Sequence, residues 1–324
     1  MSGPQSVLLL GYGALLRSLT PGLFRLAPGA RIHGVKGSPQ GLEALAAETP
    51  FPLSAGDGAA RLRSLRPDLV LFAPPSRLAP TLCREELAPY WEACRRAGEA
   101  PPLLLSFYTA PMDYAAALGP DAPAAVLLPG ATQTAGGVAL GPYGRSLAWA
   151  AGPLTPAQRT WAETLLSPCG APVWTERERL TGNLTVLVGT YLAQELRALA
   201  EPARLRAALR LPEVPGLPQA APDDAALRGA EAFQAGIRDF ILERSLPPEE
   251  AEPLLRSTLQ TCLCAAQAEP EEELSRRFQV CATPGGLLEA GALAWRQAPR
   301  RSSRAIRAGA RKACRAIFRR AGKL

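Results

Sequence analysis

Two glycines separated by one residue follow a short apolar run near the start of this 324-residue chain. The run is Val7–Leu10, and Gly11, Tyr12 and Gly13 come directly after it, before leucines at helical spacing. A strand, turn and helix of this kind directs backbone N–H groups and the positive end of the helix at one point, where a phosphate binds. The first glycine permits the sharp turn, and the second lets a pyrophosphate approach the backbone. The pattern therefore predicts a dinucleotide site, with a plain strand–turn–helix as the alternative.

A second apolar run, residues 32–35, ends in Lys36, Gly37 and Ser38. An acidic residue at this place would bind the ribose hydroxyls of NAD. A lysine and a serine hydroxyl suit the additional phosphate of NADP, through charge and hydrogen bonding. We therefore predict NADPH as the cofactor. Its pyrophosphate is expected along the turn and the start of the helix, at Gly11, Tyr12, Gly13, Ala14 and Leu15. Its 2′-phosphate is expected at the end of the second strand, at Lys36 and Ser38.

The composition narrows the classes of function. The chain is 47% hydrophobic and 20% charged, which is typical of a globular protein. No apolar run approaches the roughly 18 residues of a membrane span, and no signal-peptide pattern opens the chain, so a cytoplasmic location is expected. Seven cysteines without CxxC spacing argue against a disulfide framework and a zinc site. A single histidine, His33, inside the second strand, argues against a histidine metal site or a Ser-His-Asp triad. Cofactor chemistry is then the expected enzymatic route.

Short apolar runs alternate with helical stretches through the first half of the chain, the pattern of an α/β doubly wound parallel sheet. Strands are predicted at 6–10, 31–36, 68–73, 102–108, 124–128, 146–151 and 172–175. Beyond Glu176 the spacing is helical alone. We predict an NAD(P)-binding Rossmann domain over residues 1–176, an all-α substrate and dimerisation domain over 177–299, and a basic helix over 300–324.

The positive charge of the chain is concentrated at its end. The formal net charge is +7, and residues 300–324 hold ten lysines and arginines and no acid, so residues 1–299 carry 7 − 10 = −3. On a helix, Ile306, Ala310, Ala313 and Ile317 share one face. Two interpretations stay open. The segment is either a final helix packed by that face, or a contact for nucleic acid, an acidic lipid or an acidic partner.

Five motifs occur in the order found in one enzyme family. They are Gly11-Tyr-Gly13-Ala-Leu15, Ser38-Pro39, Asp68-Leu-Val-Leu-Phe-Ala-Pro74, Leu128-Pro129-Gly130-Ala131 and Ala282-Thr283-Pro284-Gly285-Gly286. On these motifs the chain resembles the pyrroline-5-carboxylate reductases, which reduce a cyclic imine with NAD(P)H, usually NADPH. The resemblance covers most of the length.

The resemblance implies further site residues. Ala73 and Pro74, at the end of the third predicted strand, join the cofactor contacts. Thr283 is implied as the catalytic hydroxyl, and the substrate is expected at Thr283, Gly285, Gly286 and Leu288. A threonine before a proline is also a common helix N-cap, so both roles stay open for Thr283. Thr132 and Tyr191 are other candidate proton donors.

The chain departs from the family pattern at positions that the resemblance places in the cofactor and substrate pocket. Pro74-Pro75 replaces Val-Lys at the strand end, Gly130 replaces an asparagine, and Leu287 and Leu288 stand where the family carries threonine. These losses predict an altered pocket that suits a bulkier or less polar imine. The alternative is a non-catalytic homologue that keeps the fold as a regulatory or scaffold protein. The expected partners are a small-molecule substrate and a second copy of the chain, bound through the helical domain.

Overall fold

An eight-stranded sheet organises the first half of the chain in this computed structural model, which describes residues 3–75, 78–108, 112–134, 137–140, 145–270, 272, 286–298 and 302–322. Its strand order is β10-β9-β6-β5-β4-β1-β2-β3, and the pairings that join β1 to β6 are parallel. The strands are β1 Ser6–Leu10, β2 Arg31–Lys36, β3 Leu53–Ala55, β4 Leu69–Phe72, β5 Leu103–Ser106, β6 Ala124–Leu128, β9 Ser146–Ala150 and β10 Pro172–Thr175. The predicted doubly wound sheet is confirmed.

The central strands were predictable because parallel strands covered on both faces read as continuous apolar runs. Every residue of β1, β4, β5 and β6 is buried. Two elements escaped prediction. The edge strand β3 has three half-buried residues and no apolar run. A separate antiparallel hairpin, β7 (Ala131–Thr134) and β8 (Gly137–Leu140), lies where the sequence predicted no strand.

Helices connect the strands of the sheet. They are α1 Ala14–Ser18, α2 Thr20–Leu26, α3 Leu42–Ala47, α4 Gly58–Leu65, α5 Ala79–Leu82, α6 Ala88–Arg96, α7 Tyr114–Leu118 and α8 Pro156–Leu166. A π-helical turn, Cys83–Leu87, joins α5 to α6, so residues 79–96 form a continuous helical segment with one wide turn. Asp113 caps α7 through the amide of Ala116, as predicted for a helix start.

The chain divides into two compact units. The first, here called the sheet unit, comprises residues 1–128 and 148–172, and the second, the helical unit, comprises residues 129–147 and 173–324. These units differ from the predicted ranges: the segment 129–147, which contains β7 and β8, groups with the helices, the sheet unit ends at residue 172, and residues 300–324 are part of the helical unit. No helix among the described residues is long and apolar enough to cross a bilayer.

The helical unit is built from long helices with mixed burial. Its helices are α9 Arg177–Thr190, followed by a 3₁₀ stretch Tyr191–Ala198, then α10 Pro202–Ala208, α11 Asp224–Glu243, α12 Pro248–Ala268, α13 Leu287–Arg296 and α14 Ser303–Ala321. The proline-rich segment 212–222 forms the loop between α10 and α11. Since prolines lack an N–H group, this loop is held by its carbonyls: Arg206, 5% exposed, and Gln260 donate to the Pro212 oxygen at 3.0 and 2.8 Å.

The basic C-terminal segment is a structural helix of this unit. Its predicted apolar face, Ile306, Ala310, Ala313 and Ile317, is buried, and α14 packs on α9, α11 and α13. The basic side of α14 meets acids of α11. Arg307 pairs with Asp239, and Arg311 and Arg315 both pair with Glu243. The hydrogen bonds from these arginines lower the pKa of Asp239 and Glu243. The interpretation as a packed final helix is therefore the one that the structure supports.

A buried polar cluster ties α9 to α12. One Glu250 oxygen accepts from Thr175 at 2.7 Å and from Asn183 at 2.5 Å, and the other pairs with Arg179 at 3.2 Å. Glu250 is 9% exposed and Asn183 is fully buried. Because buried polar groups are costly when unpaired, each member depends on the carboxylate.

Replacing Glu250 by alanine is expected to lower the free energy of unfolding by about 3 kcal/mol, since three donors lose their acceptor. Glu249→Ala is the matched control, because Glu249 is exposed on the same first turn of α12, and it should change stability by less than about 0.5 kcal/mol. Urea unfolding of both variants makes the comparison. Equal stabilities would contradict the structural role assigned to the cluster.

Candidate cofactor and active site

The candidate site lies at the carboxyl ends of the parallel strands. In the sheet order β1 stands between β2 on one side and β4 on the other. The chain runs from β1 to β2 and β3 on one side of β1 and then crosses to β4 on the other side. Such a switch in direction opens a crevice in which ligands of doubly wound folds bind. Most residues predicted to hold a cofactor follow the ends of β1, β2 and β4, and the structure brings them to this one edge.

The turn after β1 fastens three strand ends together. Gly11 has φ +85°, and its N–H and that of Tyr12 donate to the Val35 oxygen at 3.0 and 2.9 Å. A Cβ atom at Gly11 would lie 2.5 Å from the backbone carbonyl of Ala73 and 2.6 Å from the nitrogen of Pro74. Both the left-handed backbone and the lack of space require glycine here. Gly11 is therefore explained by the fold itself.

Gly13 is different, because neither conformation nor packing requires a glycine at this position. Its φ of −141° and ψ of −162° are extended values that any residue adopts. A Cβ atom there would meet only the Gly11 oxygen, at 3.8 Å. Gly13 is the N-cap of α1 and provides no side-chain cap, and the first amides of the helix, at Ala14 and Leu15, have no acceptor within the helix. The open space over these amides is a place where an anion can approach the backbone closely.

The ring of Tyr12 is turned into the protein interior. It is 3% exposed and packs edge-on against Phe51, with ring centroids 5.3 Å apart. Gly34, whose Cβ would lie 3.4 Å from the Tyr12 ring, leaves room for this packing. The side chain of Tyr12 thus anchors the turn, which the sequence pattern did not reveal.

Lys36 ends β2 and is held in place by the loop that follows. Its Nζ donates to the Ser38 oxygen at 3.2 Å, to Ser38 Oγ at 3.1 Å and to the Gln40 oxygen at 2.5 Å. None of these three acceptors is charged, and no described carboxylate forms an ion pair with Lys36. An anion can therefore bind the Lys36 ammonium group by replacing one of its neutral acceptors.

Several hydroxyl groups lie close together at the end of β5, and the sequence analysis did not predict them. Ser106 Oγ and Tyr114 OH are 2.5 Å apart and buried, and the Tyr108 N–H donates to Ser106 Oγ at 3.2 Å. Burial raises the pKa of Tyr114 and of the half-buried Tyr108, and it raises the pKa of Cys83 to about 11. The signal in the sequence was a serine that ends a run of three leucines, followed two residues later by a tyrosine.

Two other predicted features have clear local explanations. His33 lies on β2 with Nε2 3.0 Å from Ser54 Oγ, and burial with the nearby charge of Arg61 lowers its pKa, so it is a packed strand residue as expected. Gly130 is buried, and a Cβ atom there would lie 2.4 Å from the Arg145 oxygen. An asparagine does not fit at this position. Groups of metal-ligating side chains do not occur within the described ranges.

Two of the predicted substrate residues, Gly286 and Leu288, are described and belong to the helical unit. Gly286 is the N-cap of α13, and Leu288 is half-buried in its first turn. Thr283 and Gly285, together with the Ala282 and Pro284 of the same motif, lie outside the described residues. Thr132 lies on β7, and Tyr191 begins the 3₁₀ stretch after α9.

Comparison with known proteins gives similarity of fold. No family model matches the chain, and no curated protein matches its sequence. A structure of D-mandelate dehydrogenase with NADH and anilino(oxo)acetate is similar over 98% of this chain and 97% of that chain, with a TM-score of 0.50 and 10% identity. Two pyrroline-5-carboxylate reductase structures were also found. The one from Coxiella burnetii has a TM-score of 0.48 and 18% identity, covering 98% and 97%. The one from Plasmodium falciparum, with NADP bound, has a TM-score of 0.45 and 11% identity, and the similarity covers 99% of each chain. The fold is thus a Rossmann-type sheet followed by a helical region.

Gly11→Ala is expected to lower the free energy of unfolding by about 3 kcal/mol or more, because a left-handed backbone and a backbone collision add together. Gly29→Ala is the matched control. Gly29 has φ +76° with nothing within 4 Å of its Cβ position, so it should cost only the conformational part, about 1–2 kcal/mol. Chemical denaturation measures both. Equal losses would refute the tight packing of the turn against Ala73 and Pro74.

Proposed function

We propose that this protein is an NADPH-dependent reductase that acts on the C=N bond of a cyclic imine. The observation that carries the proposal is Gly13. This glycine is required by neither backbone conformation nor packing, and it stands beside the uncapped amides of α1. A pyrophosphate that lies against the backbone accounts for its identity, because any side chain would occupy the space needed by the phosphate oxygens.

Lys36 and Ser38 would select the cofactor. A 2′-phosphate can replace one of the neutral acceptors of Lys36 Nζ and gain a charge-assisted hydrogen bond, with Ser38 Oγ as a second donor. The residues present therefore fit NADPH: amides at Ala14 and Leu15 for the pyrophosphate, and Lys36 and Ser38 for the additional phosphate. When bound, the dihydronicotinamide supplies a hydride.

The substrate class rests on the resemblance in sequence to the pyrroline-5-carboxylate reductases. In the proposed roles, Thr283 donates a hydrogen bond to the substrate, and the backbone of Gly285 and Gly286 binds a carboxylate. Leu288, half-buried at the start of α13, replaces a hydroxyl by an apolar surface. A cyclic imine less polar than pyrroline-5-carboxylate is the substrate that this replacement favours.

A second candidate is a homologue that keeps the fold without catalysis. It is favoured by two positions where the family pattern carries polar side chains. Gly130, where the family pattern has an asparagine, has no space for a side chain. Pro75, where it has a lysine, contributes its backbone oxygen, which accepts from the amides of Leu78 and Ala79 at the start of α5. Measuring NADPH oxidation with a panel of cyclic imines separates the two candidates. Turnover of any member supports the reductase, and NADPH binding without turnover of any member supports the second candidate.

Lys36→Glu is expected to weaken NADPH binding by about 10- to 100-fold while NADH binding changes little, because the carboxylate repels the 2′-phosphate. Lys312→Glu is the matched control, since Lys312 is exposed on α14 and belongs to the helical unit. Fluorescence titration with each cofactor gives the dissociation constants. An unchanged ratio of NADPH to NADH affinity would refute the role given to Lys36.

A further inference from the structure

The hydroxyl cluster at the end of β5 has no part in holding the proposed cofactor. Its inner members, Ser106 and Tyr114, are 0% and 1% exposed, and their oxygens are 2.5 Å apart. Ser106 Oγ also accepts from the N–H of Tyr108, at 3.2 Å. This bond fixes the backbone at the point where the chain leaves the sheet. Tyr108 itself is half-buried, and its hydroxyl has no hydrogen-bond partner among the described residues.

The sheet order places this cluster opposite Lys36 with respect to β1. β2, which ends at Lys36, is on one side of β1, while β4 and then β5 are on the other. Ser106 is in register with Phe72 of β4, and the Phe107 N–H donates to the Phe72 oxygen at 2.8 Å. A dinucleotide with its 2′-phosphate at Lys36 and its pyrophosphate at Gly13 extends its other half toward the ends of β4 and β5. Tyr108 follows the carboxyl end of β5, two residues beyond Ser106, on that side of the sheet.

Reduction of a C=N bond needs a proton as well as a hydride, and Tyr108 has the properties of a donor. Its hydroxyl holds its proton at neutral pH, as any tyrosine does. Burial raises its pKa further, so it gives up that proton only to the strongly basic nitrogen that hydride addition leaves. Its partly exposed side gives contact with water. The neighbouring hydroxyls of Ser106 and Tyr114 bond to each other and to the backbone, which leaves the Tyr108 hydroxyl available to a ligand.

We propose that Tyr108 is the proton donor of the reaction, an inference that rests on the proposed reductase function. A bound dihydronicotinamide would supply the hydride to the imine carbon, which would leave the π electrons of the C=N bond on nitrogen for protonation. The Tyr108 O–H bond breaks, an N–H bond forms, and the phenolate then takes a proton from water. Ser106 and Tyr114 are positioning residues, which fix the backbone from which Tyr108 extends.

The test compares Tyr108→Phe with Tyr90→Phe. Tyr90 is the matched control, a half-buried tyrosine of the sheet unit on α6 whose pKa is raised to about 12. With NADPH and 2-methyl-1-pyrroline, Tyr108→Phe is expected to lower kcat by about 100-fold or more. The dissociation constant of NADPH should stay within about twofold, and Tyr90→Phe should resemble the wild type.

Binding provides a readout that does not depend on turnover. The affinity of 2-methyl-1-pyrroline for the complex with NADP⁺, measured by calorimetry, should fall about 5- to 10-fold in Tyr108→Phe, because one hydrogen bond to the imine nitrogen is lost. Ser106→Ala should lower kcat with little change in KM. A wild-type kcat and imine affinity in Tyr108→Phe would overturn the inference and leave the reductase standing. A wild type that neither binds nor reduces any member of the panel of cyclic imines would overturn the proposed function as well.

Discussion

The candidate site depends on one constraint, the left-handed turn at Gly11 wedged against the backbone of Ala73 and Pro74. The end of β1 is bonded through this turn to the end of β2, and it touches the end of β4. Three strands are thereby brought to one level at the edge of the sheet. Because the turn has no space for a side chain, the direction in which α1 leaves the sheet is set by packing. The amides of α1, Lys36 and the hydroxyls of β5 all take their positions relative to this turn.

The two glycines of the turn show what sequence can and cannot separate. In the sequence they are equivalent members of one pattern. In the structure Gly11 is demanded by its φ of +85° and by crowding, whereas Gly13 is demanded by neither. The distinction decides the functional argument, since a residue explained by the fold says nothing of a ligand. Periodicity predicted the strand–turn–helix well, but only atomic distances show which glycine needs another explanation.

Other predictions succeeded or failed for physical reasons of the same kind. Buried parallel strands such as β1 and β4 are continuous apolar runs, and capping residues such as Asp223, which accepts from the Ala226 amide, mark helix starts. The hairpin β7–β8 was missed because each of its strands has only four residues and β7, with the sequence Ala-Thr-Gln-Thr, has no apolar run. The cluster of Ser106 and Tyr114 was missed because it joins a strand to a helix that follows a loop, and sequence spacing does not encode that contact.

The helical unit illustrates a different balance of forces. Its last helix, α14, combines a buried apolar face with arginines that meet Asp239 and Glu243 of α11. Such exposed pairs contribute little to stability one by one, so the packing of the apolar face dominates. The same ion pairs neutralise part of the positive charge of the chain end. The concentration of arginines and lysines there is therefore not by itself a sign of binding to nucleic acid or a membrane.

The central claim is that a pyrophosphate lies against Gly13. The most direct measurement is a calorimetric titration of NADPH into the wild type and into Gly13→Ala, with the thermal midpoint of each protein recorded beside it. The account predicts binding to the wild type, an affinity at least about tenfold weaker in Gly13→Ala, and equal thermal midpoints, since the added methyl group meets only the Gly11 oxygen at 3.8 Å. Equal affinities in the two proteins, or no binding to the wild type, would contradict it.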